Sequence, residues 1–299
     1  MTDAAQRSNV GYTVGMTLTA PRSISVASGK ATFLEAGLQN ARTVLLFHGG
    51  GLDCASLSWR LLMPALSQSY RIIAPNWPGY AGTTAFGRPY TIADIGQWLM
   101  TLLDHLEIER ASMIGVSMGG GASLWSALNH PERVEAIVPI GTYGIADRAP
   151  HHRLSYVLTK LPLNAVSYAV MRRYPSMLRR ALEAIFANPE KVTDEIIAEV
   201  QDVLGSAGNG APFTNFQRGE MTSARLRTSF GSELSKVSCP SLFIHGKEDS
   251  LVPLKTVEAA IGLMKNASLE VMDAGHWPMR EDPETFNELV LAFLRAVRS

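Results

Sequence analysis

Two cysteines, Cys54 and Cys239, are all that a chain of 299 residues contains. That is too few for a disulfide framework, so a reducing, cytoplasmic compartment is expected. Neither sign of charge is in excess: 27 Lys and Arg stand against 27 Asp and Glu. No summed field therefore draws the protein toward nucleic acid or an anionic membrane. The opening MTDAAQRSNVGYTVG lacks the basic and apolar regions of a signal peptide, and no segment approaches eighteen uninterrupted apolar residues. No membrane partner is expected, and the extreme N-terminus is expected to be loose. The seven histidines and two cysteines show no zinc-ligand spacing, so no metal is expected. Internal repeats and low-complexity tracts are also missing. A small-molecule substrate is the partner left by these exclusions; nothing in the sequence specifies an oligomeric state.

With 46% hydrophobic and 18% charged residues, the chain can bury the core of one large domain with an insertion. Short β-branched runs alternate with longer segments of 3.6-residue period, the pattern of a mostly parallel sheet flanked by helices. SISVAS and ATFLEAG read as opening antiparallel strands. Central strands with their exit loops are predicted at 43–51, 71–79, 111–117, 135–141, 241–249 and 268–276. Over 91–106, Ile92, Ile95, Leu99, Leu102, Leu103 and Leu106 share one helical stripe, with Thr91 as N-cap. A C-terminal helix carries Phe286, Leu289, Val290, Phe293, Leu294 and Val297 in the same way. Between these parts the strand rhythm stops. Residues 143–236 read as a helical insertion, broken at GSAGNGAP, which divides an α/β core made of residues 1–142 and 237–299.

The chemistry gathers around Gly115-Val116-Ser117-Met118-Gly119, a G-x-S-x-G motif preceded by a predicted strand and followed by a predicted helix. Ser117 is the candidate nucleophile, on a turn sharp enough to need glycine beside it. Glycine and serine also let a helix approach a sheet closely, so the pentapeptide alone leaves both readings open. His48-Gly49-Gly50-Gly51 follows the first central strand and would leave backbone N–H groups exposed. Gly50 with Met118 would then form an oxyanion hole, with Gly51 a less favoured contact; a plain Gly-rich turn is the alternative.

Among the histidines, His276 stands in DAGHWP, directly after the last strand, where an open α/β sheet collects its functional groups. His105 and His130 fall near helix ends, His151 and His152 in the insertion, and His245 inside a strand. Asp249, at the tip of the penultimate strand, is placed to orient the imidazole; Glu248 should point the other way and Asp273 precedes His276 too closely. Capping the following helix is the other use open to Asp249.

In the order Ser117, Asp249, His276, the chain resembles the α/β-hydrolase family, through HGGG, APNWPGYAGT, GVSMGGG, HGKEDSLVP and AGHWPMREDPETF. The resemblance covers nearly the whole chain. It implies an eight-stranded, mostly parallel sheet flanked by helices, with residues 143–236 as a helical cap, and it requires no cofactor. Asn76 stands where relatives often have Asp, which questions the local loop geometry. A serine at 117 argues against the branches that use a carboxylate nucleophile.

The expected reaction is acyl transfer: Ser117 attacks a carboxylic ester or lactone of small to medium, largely uncharged character. The alternative is a carbon–carbon bond hydrolase of the meta-cleavage type, to which HGGG and GHW are similar and in which Trp277 would pack on the substrate. Against it, LDCAS follows the glycines where that branch carries PGA. A cap arginine binding a substrate carboxylate would support it, with Arg172, Arg173, Arg179 and Arg180 as candidates. A third possibility is a ligand receptor of the same fold with little turnover.

Overall fold

The structure, a computed structural model, describes residues 20–149, 151–206 and 210–297. The N-terminal stretch expected to be loose, and residues 207–209 of the expected breaker, lie outside them. In chain order the described elements begin with β1 (Arg22–Val26), β2 (Gly29–Ala36) and β3 (Thr43–Phe47), followed by the short helices α1 (Ala55–Trp59) and α2 (Met63–Leu66). Then come β4 (Arg71–Pro75), α3 (Ile92–His105), β5 (Ala111–Val116), α4 (Met118–Asn129) and β6 (Val134–Ile140). Among the described residues five α-helices separate β6 from the next strand: α5 (His152–Leu158), α6 (Leu163–Arg173), α7 (Pro175–Glu183), α8 (Asp194–Ser206) and α9 (Ala211–Glu220). The chain closes with β7 (Ser241–Gly246), α10 (Leu254–Ile261), β8 (Ala267–Met272), α11 (Pro278–Glu281) and α12 (Pro283–Ala296).

One sheet holds all eight strands in the order β1-β2-β4-β3-β5-β6-β7-β8. The β1–β2 and β2–β4 pairs are antiparallel and the rest parallel. Alternate side chains of the central strands enter two separate cores, because successive residues of a strand point to opposite faces. Val44, Leu46, Ile72, Ile114, Val138 and Ile244 pack with α1, α2 and α12; Leu45, Phe47, Ile73, Met113, Ile137 and Phe243 pack with α3, α4 and α10. Both faces being covered explains why these strands read as continuous apolar runs rather than as alternating ones.

Helix α3 begins as its sequence suggests. Thr91 accepts from the Asp94 N–H while the Asp94 carboxylate accepts from the Thr91 N–H, a reciprocal capping box. The loop after β4 is organised by Asn76. Its Oδ1 accepts from the Ala55 N–H at 3.0 Å and its Nδ2 donates to the Thr32 hydroxyl at 3.1 Å. An aspartate could accept the first bond but not donate the second, so the departure noted at this position uses both ends of the amide.

Candidate active site

Ser117 occupies the turn between β5 and α4 with φ 52° and ψ −113°, a left-handed backbone that a residue with a Cβ adopts only at a cost of roughly 1–3 kcal/mol. Its N–H donates to the Ile140 carbonyl at 2.8 Å, and its carbonyl accepts from Gly121 and Tyr143 at 3.0 and 3.1 Å. These bonds pin the turn to β6. The glycines on either side have a steric reason: a Cβ on Gly115 would lie 2.2 Å from the Gly119 carbonyl oxygen, and one on Gly119 would lie 2.2 Å from that of Phe47. The turn can therefore be this tight only with hydrogen at both positions. Of the residues predicted around it, Met118 opens α4, so its N–H belongs to the helix's unsatisfied first turn.

At the neighbouring strand ends, His276 Nδ1 donates to Asp249 Oδ2 at 2.8 Å, while Asp249 Oδ1 accepts from the Leu251 and Val252 N–H groups at 2.8 and 2.9 Å. Burial alone would raise this carboxyl, but the His276 hydrogen bond, the imidazole's charge and the two N–H groups outweigh it and hold the group below the usual carboxylate range. His245, also beside Asp249, donates from Nε2 to the Val252 carbonyl at 2.9 Å, and burial lowers its pKa, so it packs as a neutral ring. Gly141 was not singled out by its sequence. It has φ 47°, and a Cβ there would come within 3.0 Å of both Asp249 Oδ2 and His276 Nδ1.

The glycine loop after β3 is braced from below. His48 donates from Nδ1 to the Gly49 carbonyl at 2.7 Å and accepts at Nε2 from the Trp77 N–H at 3.1 Å. Burial carries its pKa down to about 3, so it is neutral and its tautomer is set by these two partners. Asp53, within the LDCAS that departs from the alternative's pattern, takes the Gly49 N–H at 2.6 Å and the Cys54 N–H at 2.8 Å, and Ser58 also donates to it. Gly49 is thus occupied, whereas the Gly50 N–H has no acceptor among the described residues. Phe213 lies over Gly50, where a Cβ would meet its ring at 2.8 Å.

Burial raises the Asp53 carboxyl from 3.8 to about 6, against the pull of Ser58, the two N–H groups and Arg280. Between those two values the folded protein binds a proton that the unfolded chain does not, so this group makes stability rise as pH falls from about 6 to about 4. Above pH 6 it contributes no further slope. Asp53→Asn should remove the effect, shifting the stability difference between variant and wild type by about 3 kcal/mol across that window. Urea unfolding at pH 4 and pH 7 reads it; a pH-independent difference would contradict it.

The loop carrying His276 is also clamped. The His276 N–H donates to the Ile185 carbonyl at 2.7 Å. Glu281 accepts from Gly275 N–H at 2.6 Å through Oε1 and from Ala187 N–H at 2.8 Å through Oε2. Arg280 donates to the Leu57 carbonyl at 2.8 Å and to Glu199 of α8 at 2.7 Å. These two residues, invisible as site residues in the sequence, tie the His276 loop to the segment between β6 and β7.

Ser117, His276, Gly50, Gly51 and Trp277 all line one cavity of about 230 Å³, together with Leu52, Ala181, Leu182, Ile185, Phe213 and Leu251. Asp249 stands behind His276 with its side chain fully buried. No Lys or Arg lines this cavity among the described residues. Of the four arginines considered, Arg179 pairs with Asp194 and Arg173 lies over the Tyr174 ring; none of the four lines it. Among the described residues no group of three or more His, Cys, Asp or Glu is arranged to hold a metal ion, and no helix is long and apolar enough to cross a membrane.

Comparison with known proteins matches residues 42–283 to the α/β hydrolase fold family. A 2-hydroxymuconate semialdehyde hydrolase of Pseudomonas sp. is 30% identical over 84% of this chain and 86% of its own length. A 2-hydroxy-6-oxononadienedioate/2-hydroxy-6-oxononatrienedioate hydrolase of Cupriavidus pinatubonensis is 27% identical over 85% and 87%. Among solved structures, a meta-cleavage product hydrolase of Pseudomonas fluorescens superposes with a TM-score of 0.77 at 28% identity, covering 93% of this chain and 98% of that one. Fold, strand order and family match agree: this chain belongs to the α/β hydrolase fold family.

Proposed function

We propose that this protein is a serine-nucleophile hydrolase of the carbon–carbon bond class, cleaving vinylogous ketones of the meta-cleavage type. The observation that carries the chemistry is the convergence of Ser117, His276 and Gly50 on one cavity, with Asp249 hydrogen-bonded behind the histidine. The relatives named above favour this bond class over the ester first expected. Ser117 Oγ attacks the ketone carbon as His276 Nε2 takes its proton, and the Gly50 and Met118 N–H groups hold the oxyanion. In the diketo tautomer of the substrate the carbon–carbon bond then breaks, its electron pair passing through the conjugated double bond to the second carbonyl; the resulting dienolate takes the proton from the imidazolium and leaves as the dienol. Water, deprotonated by His276, releases the acid from the acyl-enzyme. Residues 143–236 act as the cap, contributing Ala181, Leu182, Ile185 and Phe213 to the cavity lining, and Trp277, which also lines it, packs against the substrate.

Hydrolysis of an uncharged ester or lactone is the second reading, and the cavity's lack of Lys or Arg among the described residues favours it. A panel of 2-hydroxy-6-oxo-dienoates, nitrophenyl esters and lactones separates the two. Ring-fission dienoates are expected to be turned over at least about tenfold faster in kcat/KM than any ester. Fast ester turnover with inert dienoates would reverse the order of the readings, and inertness toward the whole panel would count against both.

A further inference from the structure

Three tyrosines from separate parts of the chain bury their hydroxyls near the glycine loop: Tyr80 after β4, Tyr90 just before α3, and Tyr168 on α6. All three side chains are at least nine-tenths buried, and none of the three hydroxyl oxygens has a hydrogen-bond partner among the described residues. A buried hydroxyl without a partner is destabilising, so three together in one place call for an explanation. The Tyr168 hydroxyl lies 4.0 Å from where a Cβ on Gly51 would be, and Gly51 itself lines the cavity of Ser117. The Tyr80 ring meets that of His48, which braces the glycine loop, edge-on with centroids 5.1 Å apart, and Tyr90 packs against Phe216, which stacks with the Phe213 that lies over Gly50. Burial raises all three phenols, which keeps them protonated at any ordinary pH.

Counting protons decides what such a cluster lacks. Each hydroxyl can accept from a neighbour, so the three can form a chain whose first oxygen takes the Gly51 N–H, but the last O–H is then left without an acceptor. The missing component is an acceptor oxygen. We propose that Tyr80, Tyr90 and Tyr168 form an uncharged donor subsite beside Gly51 that takes a carboxylate or enolic oxygen of the substrate. This inference rests on the carbon–carbon reading, whose substrates carry such oxygens while the cavity offers them no Lys or Arg among the described residues. Neutral donors in a dry site can hold an anionic oxygen through charge-assisted hydrogen bonds without the cost of burying an unpaired cation.

Sorbate, a conjugated dienoate, and its uncharged counterpart 2,4-hexadien-1-ol serve as probes, titrated calorimetrically into the full chain carrying Ser117→Ala. Sorbate binding is expected to weaken about tenfold with Tyr168→Phe or Tyr80→Phe, one lost hydrogen bond being worth about that factor. Binding should disappear when all three tyrosines are Phe, with the alcohol's affinity unchanged. Thermal unfolding of the Phe variants should be level with or above that of the parent, since each removes an orphaned polar group. Equal sorbate binding by parent and Phe variants would overturn the proposal, leaving a buried water as the occupant; so would no sorbate binding at all. Dependence on the tyrosines with ring-fission dienoates inert would sink the proposed reaction and leave the subsite standing. Dienoate turnover with a KM indifferent to the tyrosines would do the opposite.

Discussion

Replacing Ser117 with alanine is expected to lower kcat/KM toward the preferred carbonyl substrate by about 10⁴-fold or more, with the fold intact. Residual rate would come only from binding and the oxyanion donors, which survive the change. Alanine retains a Cβ at φ 52°, so it keeps the strain of the turn as well as its hydrogen bonds to Ile140, Gly121 and Tyr143. Ser117→Gly should differ in an informative way. Removing the Cβ relieves a conformation that costs roughly 1–3 kcal/mol, so this variant should lose activity to the same degree while unfolding at a higher temperature. Part of that gain is offset by the glycine's larger entropy in the unfolded chain. Paired steady-state kinetics and thermal unfolding of the three proteins check both halves. Undiminished turnover in either variant would remove Ser117 from the chemistry; equal melting of all three would show the strain of the turn to be no larger than the glycine's entropy cost.

Much of this arrangement is legible in the sequence because it rests on local rules. Buried parallel strands read as short apolar runs, Thr91 and Asp94 advertise a helix start three residues apart, and G-x-S-x-G follows from a clash that any strand-to-helix turn of this sharpness meets. The residues that sequence reasoning passed over act across long distances. Asp53 matters because it receives the Gly49 N–H, and Glu281 because the 187–188 segment folds back onto the His276 loop. Gly141 matters because the Asp249–His276 pair arrives from two later strands. None of these has a spacing signal, since each partner is chosen by tertiary packing. Asn76 shows the converse: a departure from a family pattern was visible, but its consequence depended on Thr32, a residue 44 positions away. The tyrosine cluster is the extreme case, with members from three elements and no motif to join them.

The bond between Asp249 and His276 allows a second large effect to be derived from proton inventory alone. As carboxylate, Asp249 only accepts: Oδ1 is committed to the Leu251 and Val252 N–H groups, and Oδ2 receives His276 Nδ1–H at 2.8 Å. That leaves Nε2 of the imidazole without a proton and able to act as the base. In Asp249→Asn the amide oxygen would stay with the two backbone donors, because turning it away would set NH₂ against N–H twice. The amide nitrogen then faces His276 Nδ1 and donates to it. Nδ1 becomes an acceptor, the ring proton moves to Nε2, and Ser117 has no base. A loss of about 10⁴-fold in kcat follows, with KM little changed, because the defect is a tautomer rather than a binding contact. A structural role alone would show as lowered stability with kcat retained per folded molecule. The low-field proton resonance of the Nδ1–H bond distinguishes the two: it should be present in the wild type and absent in the variant, whereas its persistence alongside full activity would mean that Asp249 does not set the tautomer. The pH dependence has a matching sign. Because the Asp249 carboxyl is held below its ordinary 3.8 in the folded state, its contribution to stability is present above that value and lost as pH falls through the lowered one. Asn at 249 does not titrate, so the variant should lack that acid-side loss.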